Sequence, residues 1–204
     1  MDKKITEKMI LVSQNLIKML ELAFEGFRRS TEKSFKEAEE VNDRIHQYSS
    51  ELTSSIISKS PSSERGREWA KSYLSIASSF DRMTYNIEGI LDRLRTKSQN
   101  HILFSDRAVK EVNDVFQEAM RLLENLPNLI TTQDKRLAQR IGEEVRTIFK
   151  IANGYSEGHE ERLLQGICVP KSSPIYLGIL ESLKGVIVNT LEVSGKIVSL
   201  SSSS

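Results

Sequence analysis

Three carboxylates in this chain are spaced to meet on a cation. Glu39 and Asp43 lie four residues apart in a helical pattern, on one face and about one turn from each other. Asp81 follows Phe80 in the next helical pattern, at the edge of its apolar stripe, just as Glu39 and Asp43 follow Ala38 and Asn42. If the two helices are antiparallel neighbours, all three acids converge. Clustered carboxylates repel unless a cation joins them, and oxygen ligands suit hard or borderline metals. The plainer alternative is a solvated face on which Arg44 or Arg82 pairs with the acids. His46, one turn beyond Asn42, is either an added ligand or a surface histidine.

The acidic stretch has a damaged copy. Glu39-Glu40-Val41 returns as Glu143-Glu144-Val145 after 104 residues, and Tyr73-Leu74-Ser75-Ile76 as Tyr176-Leu177-Gly178-Ile179 after 103. Glu143 keeps its acid, but Thr147 stands for Asp43, Lys184 for Asp81 and Val188 for Tyr85. Lys184 puts a positive charge where an ion would sit, so any metal is expected in the first half and none in the second.

Other reactive residues read as structural. His159 continues an apolar stripe and is expected to be a hydrogen-bonded core histidine, and His101 falls in the connection between the halves. Cys168 has no activating neighbour in sequence and reads as packed. The chain has no phosphate-binding glycine loop, no Gly-x-Ser-x-Gly and no His-Glu-x-x-His, so nothing supports a nucleophilic enzyme. Arg28-Arg29 and Arg136 with Arg140 are small basic spots without interleaved aromatics, which does not suit nucleic acid.

Six helices are predicted to position these groups. The first covers about 4–29, with Ile5, Met9, Val12, Leu16, Met19, Ala23 and Phe27 stepping by threes and fours. Ser30-Thr31 offers a break and an N-cap, but Ser34 with Glu37 fits a capping box and is the better start for a second helix ending near Ser58. Residues 59–63 are a turn. The third helix carries the most regular stripe, Trp69, Tyr73, Ile76, Phe80, Met83, Ile87, Ile90 and Leu94, a core face. The fourth starts at an N-cap on Ser105 and ends or kinks at Pro127. The fifth spans about 132–165, weakened near Asn153-Gly154 and Gly158, and a loop at 166–174 leads to the sixth, from Tyr176 to Leu200.

The expected fold is therefore all-α, a tandem pair of antiparallel three-helix bundles at 1–99 and 100–200, with a disordered tail at 201–204. The 204 residues hold 38% hydrophobic and 28% charged side chains with only 4 prolines and 10 glycines, which fits a charge-coated helical protein. A net charge of +1 gives no bulk attraction to nucleic acid or anionic lipid. One cysteine excludes an internal disulfide and fits a reducing cytoplasm. No apolar run reaches the roughly 20 residues of a membrane span, and the N-terminus has no continuous signal core. The stripes can close within one chain or between two, so a homodimer stays open.

A duplicated three-helix unit with Glu-x-x-x-Asp on its second helix and an acid-Arg-x-x motif on its third resembles the PhoU family. Phe80-Asp81-Arg82-Met83 resembles the Leu-Glu-Arg-Ile start of that family's third-helix motif, and the run His159 to Cys168 resembles its His-x-x-Arg-Leu-x-x-Gly-x-Cys segment, especially in the domain attached to sodium/phosphate cotransporter-type proteins. The resemblance implies a non-enzymatic cytoplasmic regulator of phosphate handling. It would contact a phosphate transporter or its sensor kinase near the membrane, and bind iron, zinc, magnesium or manganese through acidic motifs. Carried onto this chain, the metal motif fits Glu39, Asp43 and Asp81. It departs at Tyr85 and Asn86, where the family has Asp and His, and in the second half at Thr147, Lys184, Val188 and Asn189. A metal-binding or metal-carrier protein, and a self-associating structural bundle, are the other readings.

Overall fold

The computed structural model describes residues 2–29, 31–60 and 63–202, the side chains of Arg65, Ser201 and Ser202 excepted. Among these residues the chain forms α1 (Lys3–Arg29), α2 (Glu32–Lys59), α3 (Glu64–Gln99), α4 (Asp106–Leu123), α5 (Leu126–Thr132), α6 (Lys135–Leu164) and α7 (Ser173–Ser202). A 3-10 turn at Pro170–Ser172 leads into α7. The fold is all-α, as the stripes require.

Hydroxyl and carboxylate caps set most starts. Thr31, Ser63, Ser105 and Asp134 accept backbone N–H groups at the first turns of α2, α3, α4 and α6. The second helix thus begins at Glu32, with its cap three residues before the expected Ser34. Thr31 Oγ1 takes the Ser34 N–H at 3.4 Å, the Ser34 hydroxyl returns a bond to the Thr31 carbonyl, and Glu37 faces Lys33 instead of closing a box. Ser30, Pro61 and Ser62, expected in breaks and turns, lie outside the described residues, as do positions 203–204 of the expected tail.

Proline positions account for the other departures. Pro127 does not end α4, which stops at Leu123; it sits in the first turn of the short helix α5, where its missing N–H is not needed. Pro174 occupies the first turn of α7, so that helix starts before the expected Tyr176. Asn153-Gly154 and Gly158 leave α6 unbroken.

The predicted stripes form the core. All seven apolar positions of α1 are buried, and so is the α3 stripe from Tyr73 to Leu94, with Trp69 half-buried at its end. The helix pairs α1/α2, α3/α7 and α6/α7 pack together, and α1 also meets α4 and α5. The halves are therefore joined along an extensive α3/α7 seam.

Candidate functional site

The register of α2 against α3 decides what the acids can do. Glu39 pairs with Arg95, Asn42 donates to Glu88 at 2.7 Å, and His46 Nε2 lies 3.6 Å from the same Glu88 carboxylate. These antiparallel pairs put Asp81 level with the far part of α2, where it lines a hollow of about 470 Å³ with His46, Ser49, Ser50 and Thr53. From Glu39 to that level is more than ten residues of helix, on the order of 17–20 Å at 1.5 Å per residue. The expected convergence of Glu39, Asp43 and Asp81 does not occur. The helices are neighbours, but the acids sit at different heights. Among the described residues no group of three or more His, Cys, Asp or Glu side chains could hold a metal ion. The residues present do not fit the multi-carboxylate ion centre that the resemblance implies.

The pairing partners also differ from those expected. Glu39 is met by Arg95, while Arg44 donates to Asn15 and Arg82 crosses to α7. A larger hollow of about 1010 Å³ runs between α2, α3 and α7, lined by the carboxylates of Glu39, Glu88, Asp92 and Glu181 and the guanidiniums of Arg93 and Arg95. Tyr85 is 76% exposed and lines both hollows.

In the second half the counterpart of Asp81 is packed away. Lys184 is buried, with its ammonium 5.6 Å from the Phe149 ring centre, bonded to Asn153 at 2.9 Å and paired with Glu181. Thr147 turns back to the Glu143 carbonyl, and Glu143 accepts from Gln139.

A buried polar assembly centres on a carboxylate outside the acidic motif. Glu111 on α4 is 4% exposed and accepts from both terminal nitrogens of Arg162, at 3.2 and 2.8 Å, from Arg107 Nε at 2.9 Å and from the Tyr176 hydroxyl. Such a fork-to-fork Arg–carboxylate pair is the strong kind of charged hydrogen bond. Burial, reinforced by the Glu111 carboxylate, pushes the Tyr176 phenol well above its ordinary value, so it stays a donor. The ring of His159 stacks on Tyr176 with centres 4.3 Å apart, and His159 Nε2 lies 2.9 Å from Ser173 Oγ. Burial, then the Arg162 charge, hold this imidazole below its ordinary value. The expectation of a hydrogen-bonded core histidine at 159 is met.

A serine beside a histidine is also the geometry of a nucleophile and its base. Here both residues are buried, and among the described residues His159 Nδ1 has no hydrogen-bond partner to orient the ring. The assembly instead holds a loop. Arg162 is the residue whose backbone carbonyl receives the N–H groups of Ile167 and Cys168, and Gly166, at φ 70°, turns the chain. The run from His159 to Cys168 is thus a clamped helix end. The signal for Glu111 was present, because a carboxylate three residues after Ala108 and four before Val115 falls on the core face.

Two solved structures share this fold over nearly their whole length. The phosphate transport system regulatory protein PhoU from Streptococcus pneumoniae superposes with a TM-score of 0.83 at 14% identity, covering 98% of this chain and 95% of that one. PhoU from Pseudomonas aeruginosa gives 0.85 at 11% identity, with 99% and 97% covered. The chain has the PhoU fold. No protein-family model matches the sequence, and no curated protein matches it. At such low identity the likeness speaks for the fold, and the acids of this chain are judged on their own geometry.

Proposed function

We propose that this protein is a non-enzymatic regulator or accessory protein of phosphate uptake or signalling, acting by contact with a phosphate transporter or its sensor kinase. The observation that carries this reading is the end-to-end likeness to PhoU structures, one of which is named a phosphate transport system regulatory protein. Two features of the chain support it. The buried Glu111–Arg162–Tyr176 assembly stiffens a loop and leaves Leu164, Ile167 and Val169 exposed beside it, as a contact surface requires. No described helix is long and apolar enough to cross a membrane, and the contact proposed with a transporter is at the membrane's inner face. A metal ion is not needed for this role, because its contacts depend on surface shape and charge.

Affinity purification from native membranes tests the reading. A phosphate transporter subunit or a phosphate-responsive kinase should co-purify in stoichiometric amount. Recovery of neither, from cells both starved of and fed with phosphate, would remove the proposal. A homodimer is the second reading, favoured by the same exposed apolar side chains. Light scattering over a dilution series distinguishes it, and a strict monomer ends it.

A further inference from the structure

One hollow combines an apolar floor with cations that no described carboxylate answers. It has a volume of about 380 Å³ and lies where α1 ends, α3 ends and α4 begins, lined by Phe27, Phe104, Leu103, Val109, Arg28 and Lys97. Its floor is a chain of rings. Phe27 lies 6.4 Å from Phe104, which meets Tyr176 edge-on at 6.1 Å, so the floor rests on the Glu111 assembly beneath. Leu103 is 82% exposed and Val109 42%, two large apolar side chains held out at the rim.

The cations sit on aromatic faces. Lys97 Nζ is 5.3 Å from the Phe104 ring centre, and Arg28 Cζ is 5.7 Å from that of Phe24. No residue lining the hollow is acidic among those described. Burial pulls the Lys97 ammonium below its ordinary value, the mark of a desolvated charge without an anion to offset it. The backbone here is fixed. The Ile102 N–H reaches back to the Lys97 carbonyl at 2.9 Å, and His101 takes the left-handed conformation at φ 50° to allow it. A preformed hollow with a rigid rim binds with little ordering cost.

We infer that this hollow docks an acidic, apolar-anchored segment of a protein partner, with an aliphatic or aromatic side chain against Phe27 and Phe104 and its flanking carboxylates on Lys97 and Arg28. The inference rests on the partner-binding reading above and names its surface. Apolar anchors in a pocket supply affinity, and the charges around them choose the partner.

Two synthetic helix-forming peptides test it on the full chain. Both carry Leu and Phe on one face, one with Glu on its flanks and the other with Lys at the same positions. Fluorescence anisotropy reads affinity, and methyl NMR shifts of Leu103 and Val109 read location. The Glu peptide should bind and shift those methyls, and the Lys peptide should not. Lys97→Glu should weaken the Glu peptide about tenfold or more, and the Arg28→Glu/Lys97→Glu pair should reverse the preference. Arg28→Glu alone, at an exposed residue, carries the same test if the Lys97 variant unfolds. Equal binding of both peptides, binding that ignores these substitutions, or no binding overturns the inference. So does Arg28- and Lys97-dependent binding of anionic phospholipid vesicles but not of the peptide. Transporter co-purification that survives in the double variant would overturn this surface while leaving the regulator reading intact.

Discussion

Arg82 on α3 donates through Nε to Asn189 on α7 across 2.7 Å, and this contact has an image on the same seam. Asn86 and Gly185, the counterparts of Asn189 and Arg82 at the 103-residue spacing, lie against each other. Both asparagines also bond back to their own helix, Asn86 to the Arg82 carbonyl and Asn189 to the Gly185 carbonyl, each at 2.7 Å. The Ser79–Glu192 bond has its image where Gly89 approaches Ser182. The duplicated helices therefore pack on each other about a local two-fold. Residues 86 and 189, where the resemblance places histidines, serve this packing.

Close approach at the seam predicts an asymmetric response to added methyl groups. A Cβ on Gly185 would lie 2.4 Å from Asn86 Oδ1, so Gly185→Ala should destabilise by about 1–3 kcal/mol through overpacking. Gly154 in α6 has nothing within 4 Å of such an atom among the described residues, and Gly154→Ala should stabilise by about 0.5–1 kcal/mol. Urea midpoints of the two variants check both signs.

Removing the buried carboxylate should be far costlier than removing an exposed one. Glu111→Ala leaves the Arg162 guanidinium buried without its partner, and a loss of about 3–5 kcal/mol is expected. Glu39→Ala breaks only the solvent-facing pair with Arg95 and should cost less than about 1 kcal/mol. Denaturant unfolding measures both. Replacing Glu111 and Arg162 together by apolar residues should recover much of the first loss.

His159 gives the fold a pH dependence with a defined sign. Its imidazole is held below the ordinary 6.5 by burial, so the unfolded chain takes up the proton first as pH falls. The contribution to stability is full above 6.5 and is lost as pH drops through the lowered folded value. Unfolding midpoints between about pH 8 and about pH 5 should fall for the native chain, and less steeply for His159→Gln, in the range where histidine titrates.

The stripes and turns of the sequence carried the fold almost entirely, because a three-four apolar step leaves a helix only one face to bury. Ser105 and the α3 stripe lie where their residue types require. Boundaries depended on rival caps: Thr31 and Ser34 are both hydroxyl residues, and only the backbone decides between them. The site was less legible, since spacing along one helix says nothing about height against its neighbour. Glu39 and Asp81 fell on the expected edges yet at different levels. The role of Glu111 is not legible along the chain, because its partners, Arg162 and Tyr176, lie 51 and 65 residues away.

The separation of the acids predicts how metal ions behave. A single ion cannot depend on both Glu39 and Asp81, given their different heights along α2. Thermal-shift titration with zinc or manganese checks this. Any stabilisation by the ion should survive at least one of Glu39→Ala and Asp81→Ala, and its loss in each variant separately would restore a shared centre.

Phosphate uptake in a strain lacking this chain bears most directly on regulation by contact. Radiolabelled phosphate entry, followed as cells pass from starvation to plenty, should be misregulated in the deletion. It should be restored by the native chain and equally by Glu39→Ala. Uptake and its response to phosphate that are unchanged by the deletion would contradict a role in phosphate regulation.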